Sequence, residues 1–328
     1  MKEKTQMLSY QEAMGSAIIE EMRKDKKVVM WGEDITRFRI FAGMPGAIEA
    51  FGRDRVRNTP IVEIAIVEMT IGAALTGLKP IAFLSSTGFF PLCLDGIFLK
   101  LGNYYQLHNY KGPLPVVIHA TIGGPGATAD HALSAEALLV HSPGLKVVAP
   151  ASPYDAKGLM KAAIRDNRPV IYLSSSVLGT MKEEVPTEDY IVPLGKAAVK
   201  KQGKDVTLVT YAAMVAKALT AAEALGKQGI SVEVVDLRSL VPMDVETIVK
   251  SVKKTGRLLI AHTGMKRGGF AGEIAFRVTE AAPEVVKSLK TPIKRLAAKN
   301  IALPHGAELE KYVVPQVEDI VKTVKEMV

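Results

Sequence analysis

LKVVAPASPYDAKGLMKAAIRDNRPVIYLS, residues Leu145–Ser174, sets two short apolar runs on either side of one helix-like segment. Neither LKVVAP (145–150) nor PVIYLS (169–174) alternates between apolar and polar residues. Strands buried on both faces of a parallel sheet look like this. Between them Ser152 is a natural helix N-cap, Pro153 suits the first turn, and Asp155 favours the positive end of the helix.

The same alternation extends in both directions. KVVMW (27–31), KPIAFL (79–84) and PVVIHA (115–120) read as further buried strands. Met7–Lys26 reads as an amphipathic helix with Ala13, Ala17, Ile18 and Met22 on one face. From about 176 to 204 the chain turns polar, carries two prolines and loses its helix period, so 186–204 is expected as a linker. A second series follows: DVTLVTY (205–211), a helix to about Lys227, SVEVVDL (231–237), a helix near 244–254, and RLLIAH (257–262). A helix from Gly272, a strand at PIKRLAA (292–298) and a terminal helix at 315–328 complete it. The fold class is α/β, with two doubly wound domains expected at 1–185 and 205–328.

The chain has 328 residues, 48% of them hydrophobic and 23% charged, which suits a soluble protein with sizeable cores. The net charge of +8 comes from dispersed Lys and Arg, and clusters such as Lys24–Lys27 and Lys250–Lys254 read as solvated helix faces. No nucleic-acid motif accompanies the charge, so no nucleic-acid partner is expected. The single cysteine, Cys93, excludes an internal disulfide framework and fits a reducing compartment. The most apolar stretch, Phe83 to Leu101, is broken by Pro91, Asp95 and Lys100. It falls short of the roughly 20 residues a membrane span needs, so no membrane association and a cytoplasmic location are expected.

Three local features could carry chemistry. In TPIVEIAIVEMTIGAALTGLKP (59–80), Glu63 sits inside an apolar run. A buried carboxylate is costly unless it is paired or takes up a proton. It either caps the following helix or meets an arginine, or else it is held in a pocket for proton transfer. Glu68 lies five residues on, a helical spacing that points it away from Glu63. In TIGGPGATADHALSAE (121–136), a glycine-rich turn leads to His131 at the expected start of a helix. Such turns can present backbone N–H groups to an anion, although GGPG alone is more often only a turn. Phe89 and Phe90 follow the AFLSS strand, where they either pack the core or stack on a heteroaromatic ring. Cys93 reads as a packing residue. The histidines show no metal-ligand spacing, and HExxH, CxxC and GxSxG are absent.

Nearly end to end, the sequence resembles the beta subunits of the thiamine-diphosphate-dependent pyruvate, branched-chain 2-oxoacid and acetoin dehydrogenases. The resemblance rests on VVMWGEDI (28–35), NTPIVE (58–63), IGAALTGLKPIA (71–82), PGLKVVAPASPYDAKGLMKAAIRDNRPVI (143–171), GKDVTLVTYAAMV (203–215), VEVVDLRSLVPMD (232–244) and VKKTGRLLIAH (252–262). It implies a transketolase-type pyrimidine-binding domain followed by a transketolase C-terminal domain. It also implies a cofactor, thiamine diphosphate with Mg2+, shared with an alpha subunit whose GDG motif holds the diphosphate and metal. This chain has no GDG. By the same resemblance Glu63 meets the aminopyrimidine ring nitrogen, Phe89 packs on that ring, and Glu33 and Ile61 neighbour it. His131 lines the substrate side. Backbone carbonyls of Val116, Ala163, Asp166 and Arg168 match a loop that holds a monovalent cation, K+, in some relatives. The implied assembly is a two-alpha, two-beta tetramer with beta–beta contact, able to meet a lipoyl acyltransferase.

The sequence departs from the family pattern around the acceptor side. Val62 and Glu68 replace a serine and a glycine, Asp130 replaces a glutamine, and His119 replaces an arginine. These departures keep two alternatives open: a stand-alone split transketolase or acyloin-forming synthase subunit, and a non-catalytic regulatory subunit.

Overall fold

A computed structural model describes residues 4–35, 46–123 and 129–328. They divide into two compact units, one ending at Leu194 and the other running from Gly195 to Val328.

The first unit opens with β1 (Thr5–Ser9), α1 (Tyr10–Lys24), β2 (Val28–Gly32), α2 (Ala47–Phe51), β3 (Val56–Asn58), α3 (Glu63–Leu75) and β4 (Lys79–Ser86). A 3-10 segment (Thr87–Cys93) and a π-helical segment (Asp95–Leu101) lead to α4 (Tyr104–Leu107) and β5 (Val117–Ile122). Then come α5 (Glu136–Val140), β6 (Lys146–Val148), α6 (Pro153–Arg165), β7 (Val170–Ser175) and β8 (Lys182–Pro186). The parallel sheet runs in the order β6-β7-β5-β4-β2-β3. Every residue of β2 and β7 is buried, as their unbroken apolar character requires.

The crossover helix α6 begins as its sequence dictates. Ser152 Oγ accepts the Asp155 N–H at 3.2 Å, and Pro153 stands in the first turn. Its buried Lys157 and Lys161 both pair with Glu20 of α1, and Arg165 grips Glu21 at 2.6 and 2.9 Å. These paired charges, together with Ala13, Ala17, Ile18 and Met22 of α1 in the core, lock α1 to α6.

The helix expected over Met7–Lys26 starts only at Tyr10. Ser9 and Glu12 form a reciprocal capping box, with Glu12 N–H to Ser9 Oγ at 3.2 Å and Ser9 N–H to Glu12 Oε2 at 2.8 Å. The residues before the cap form β1, which pairs antiparallel with β8.

The second unit contains β9 (Ala198–Lys201), β10 (Val206–Thr210), α7 (Met214–Gly226), β11 (Val232–Asp236), the short β12 (Ser239–Val241) and α8 (Val245–Thr255). It continues with β13 (Leu258–Met265), α9 (Ala271–Ala281), α10 (Pro283–Lys287), β14 (Lys294–Ala298), α11 (Ala307–Val313) and α12 (Val317–Lys325). Its sheet order is β14-β13-β10-β11-β9, parallel except for β9. Thus part of the expected linker is a strand, Ala198–Lys201, on the edge of this sheet. Leu208, Leu225, Val234, Leu259, Ile320 and Val324 fill the core between the sheet and the α7–α12 pair.

Candidate active site

In an open α/β sheet, ligands bind outside the carboxyl ends of the strands where the winding direction reverses. In the first unit β2 is that point: β3 lies on one side of it and β4 on the other. Glu33 follows β2 directly, Glu63 begins α3, and the 3-10 segment carrying Phe89 follows β4.

The approach of β2 to β4 is unusually close here. Gly32 has φ +155°, and a Cβ on it would lie 2.3 Å from the Phe83 carbonyl oxygen. Helix α3 is pinned to the same strand. Trp31 Nε1–H donates to Thr70 Oγ1 at 2.9 Å, and that hydroxyl donates onward to the Ile66 carbonyl at 2.6 Å. Together these contacts fix the first turn of α3 over the end of β2.

Glu33 and Glu63 are 9% and 5% exposed. Glu33 Oε1 is buried without a hydrogen-bond partner among the described residues. Burial first, then the neighbouring charges of Glu63 and Asp34, push the Glu33 carboxyl up to about 7, against the backbone N–H of Ser85, which favours its ionised form. Glu63 meets the positive end of α3 as a first-turn acidic residue. It does not cap the helix, since Val62 occupies that position without a side-chain bond, and no arginine is shown paired with it among the described residues. Both carboxyls also face Cys93, whose buried thiol rises to about 12 through burial and then their charges. A thiol held protonated in this way packs and does not attack.

Beside this carboxyl pair the end of β4 carries a second cluster. Phe89 is half-buried, and its ring meets that of His131 edge-on at 4.9 Å. Ser86 Oγ donates to the His131 carbonyl at 3.0 Å, and Thr87 Oγ1 to that of Leu133 at 2.6 Å. Gly88 is required, because a Cβ there would fall 1.4 Å from the Asp130 carbonyl oxygen. Since Ser85 contacts Glu33 and Ser86 contacts His131, the end of β4 joins the two clusters.

His131 lies in a turn, not at a helix start, because α5 begins only at Glu136. The glycine-rich residues 124–128 lie outside the described residues. Ile61 is 73% exposed, two residues before α3 begins at Glu63. Glu68 turns away from Glu63 to Lys100, at 2.5 Å. His119, a departure read with the acceptor side, is instead a core residue. It is 1% exposed, lies between Phe83 and Tyr172, and is bonded through Nε2 to Ser174 Oγ at 2.8 Å. Burial drives it down to about 3, so it stays neutral.

The carbonyls read as a cation loop are partly engaged. Val116 O accepts the Val170 N–H at 2.9 Å, and Ala163 O accepts the Asp166 N–H at 3.3 Å. The Asp166 carboxylate takes Lys146 Nζ at 2.5 Å and the Arg168 N–H at 2.8 Å. No group of three or more His, Cys, Asp or Glu side chains able to hold a metal occurs among the described residues. No helix among them is long and apolar enough to cross a membrane.

Comparison with known proteins gives this geometry a family. Residues 6–178 match the transketolase pyrimidine-binding domain, and residues 195–320 match the transketolase C-terminal domain. The chain is 39% identical to the 2-oxoisovalerate dehydrogenase subunit beta of Bacillus subtilis (strain 168) over 326 residues, covering 98% of each chain. It is 36% identical to the pyruvate dehydrogenase E1 component subunit beta of the same organism over 319 residues, covering 96% of this chain and 97% of the relative. Among solved structures, a split-gene transketolase described as an inactive beta4 tetramer superposes with a TM-score of 0.77 at 26% identity, covering 98% of both chains. The chain therefore belongs to the transketolase-like family of 2-oxoacid dehydrogenase beta subunits.

Proposed function

We propose that this chain provides the pyrimidine half of a thiamine diphosphate site and, with an alpha-type partner, decarboxylates a 2-oxoacid and delivers the acyl group to a lipoyl acceptor. The observation that carries the reading is the buried Glu33–Glu63 pair at the switch point, with one Glu33 carboxyl oxygen lacking a partner among the described residues. An unsatisfied buried acceptor suits a group that brings its own hydrogen-bond donors, as an aminopyrimidine does.

When bound, thiamine diphosphate would supply the nucleophile and the electron sink for decarboxylation. Glu63 would meet the pyrimidine ring nitrogen and share a proton with it. Glu33, close to protonation at neutral pH, lets a second acid sit beside Glu63 without placing two full charges in one crevice. Phe89 and Ile61 give the ring an apolar wall, and Phe89 also backs the imidazole of His131. His131, with its side chain 46% exposed, stands where it can hold or release a proton on the substrate side.

The diphosphate and Mg2+ fall to an alpha-type partner carrying the GDG motif, in a two-alpha, two-beta tetramer with beta–beta contact. A lipoyl acyltransferase is the expected next partner, and the cytoplasm the expected location. A K+ ion on the carbonyls of Val116, Ala163, Asp166 and Arg168 would use their remaining lone pairs. Potassium-dependent thermal protection tests for it.

The split-transketolase reading carries less weight, at 26% identity against 36–39% for the dehydrogenase subunits. The test is turnover by the chain assembled with its alpha-type partner, thiamine diphosphate and Mg2+. Reduction of an artificial electron acceptor by pyruvate or a branched-chain 2-oxoacid supports the dehydrogenase. Ketol or acyloin products without acceptor reduction would overturn it.

A further inference from the structure

Glu63 and Thr70 stand about two helical turns apart on α3, so both belong to its buried face, together with Ile66, Val67, Ile71 and Ala74. Burial of those apolar side chains is non-directional and does not by itself fix how far α3 is slid along β2. Nor does the start of the helix, since Val62 at the N-cap makes no side-chain bond. Among the described residues two side-chain hydrogen bonds tie α3 to other segments: Lys100 of the π-helical segment donates to Glu68, and Trp31 of β2 donates to Thr70. Only the second reaches the strand that leads into Glu33. Trp31 is 6% exposed and Thr70 fully buried, so the bond is shielded from water. Its polarity is also fixed. The Thr70 hydroxyl gives its single proton to the Ile66 carbonyl at 2.6 Å, which leaves a lone pair for the indole N–H at 2.9 Å.

We propose that Thr70 is a positioning residue for Glu63: its hydroxyl, bonded to Trp31, sets the height of α3 against β2 and so the place of the Glu63 carboxyl beside Glu33 and the aminopyrimidine ring. Thr70 touches neither cofactor nor substrate in this role and acts through the rigid turns of helix between itself and Glu63. The inference rests on the thiamine-diphosphate reading of the site. It adds that a hydrogen bond two turns away from the reacting groups decides how well the carboxyl meets the ring, and small displacements of such groups carry large kinetic effects.

Two measurements test this. In the enzyme assembled with its alpha-type partner, Thr70→Val keeps the shape of the side chain and loses the acceptor. Misplacing the Glu63 carboxyl should lower kcat about 10- to 100-fold, with the KM for the 2-oxoacid changed by less than about threefold. Thr70→Ser restores the hydroxyl and should return kcat to within about threefold of the wild type. Trp31→Phe, which removes the donor instead, should lower kcat as Thr70→Val does. The second measurement reads the carboxyl pair in the full chain without its partner. Glu33 is held near 7 by burial, then by the charges of Glu63 and Asp34, against the Ser85 N–H, and Cys93 also faces both carboxyls. Once α3 is released the like charges move apart, and Glu33 falls toward its ordinary value. The folded wild type is penalised for Glu33 as pH rises, and the variant less so. The stability lost by Thr70→Val, measured by urea unfolding, should therefore shrink from pH 5 to pH 8. A loss that stays constant with pH overturns the proposal, as does an unchanged kcat or a Thr70→Ser enzyme no better than Thr70→Val. If the wild type reduces no acceptor at all, the thiamine-diphosphate reading fails on its own account, and the pH dependence of the full chain still decides the role of Thr70.

Discussion

Replacing Glu33 with glutamine should flatten the pH dependence of this chain's stability across the weakly acidic range. In the folded chain the Glu33 carboxyl stands near 7, against an ordinary value of 4.5. Between those two values the unfolded chain has released this proton and the folded chain has kept it. The folded state therefore binds more protons, and stability falls as pH rises through that window. The contribution is fully present below pH 4.5 and lost above about 7. A rise of this size corresponds to at most about 3 kcal/mol, with a slope of no more than about 1.4 kcal/mol per pH unit. Glu33→Gln is isosteric and cannot ionise, so it removes this decline. Urea unfolding of the wild type and the variant at half-unit steps from pH 4 to pH 8 measures it. The two curves should diverge steadily from about pH 5, with the variant the more stable at pH 8. Parallel curves over the whole range would refute the reasoning.

Three further outcomes follow from the packing around the crevice. Thr70→Val leaves the Trp31 indole N–H buried without its acceptor and should cost about 1–3 kcal/mol by chemical denaturation, with Trp31 fluorescence altered. Gly88→Ala forces the Asp130 carbonyl aside and should cost about 1–3 kcal/mol, with loss of the ring contact between Phe89 and His131 seen by NMR. Cys93, buried and held protonated, should resist iodoacetamide at pH 8 in the native chain and react promptly in urea. Rapid native labelling would show that its enclosure is wrong.

Much of the fold was legible because buried parallel strands and capped crossover helices leave local signals. Ser152-Pro153 and the run PVIYLS announce α6 and β7 without reference to anything distant. What escaped was decided at long range. β1 looks like the start of α1 because Met7 and Leu8 continue its apolar character, yet their backbone pairs with β8 far along the chain. The Ser9–Glu12 capping box was the signal that could have placed the boundary. β9 sits at a sheet edge, with a polar sequence that edge strands tolerate.

At the site, Glu63 stood out as a charge in an apolar run. The roles expected for Glu33 and Ile61 came only from family resemblance, while Phe89 already read as either a core or a ring-stacking residue. The meeting of Glu33 with Glu63 depends on the end of β2 and the start of α3 coming together, which no local pattern encodes. Asp130 beside His131 was visible as a departure from the family, but its geometry depends on Gly88 and Ser86 of another segment. His119 shows the converse: a departure that looks functional in sequence is a neutral core residue in the fold.

The most direct test of the account is the activity of Glu63→Gln in the chain assembled with its alpha-type partner, thiamine diphosphate and Mg2+. Glutamine keeps the shape and the hydrogen-bonding reach of the side chain but has no carboxyl to hold a proton against the pyrimidine ring. In Glu63→Gln, 2-oxoacid-dependent reduction of an artificial acceptor should fall by at least about 100-fold, while assembly and thermal stability stay close to wild type. Activity within a few-fold of wild type in a folded, cofactor-loaded Glu63→Gln enzyme would contradict it.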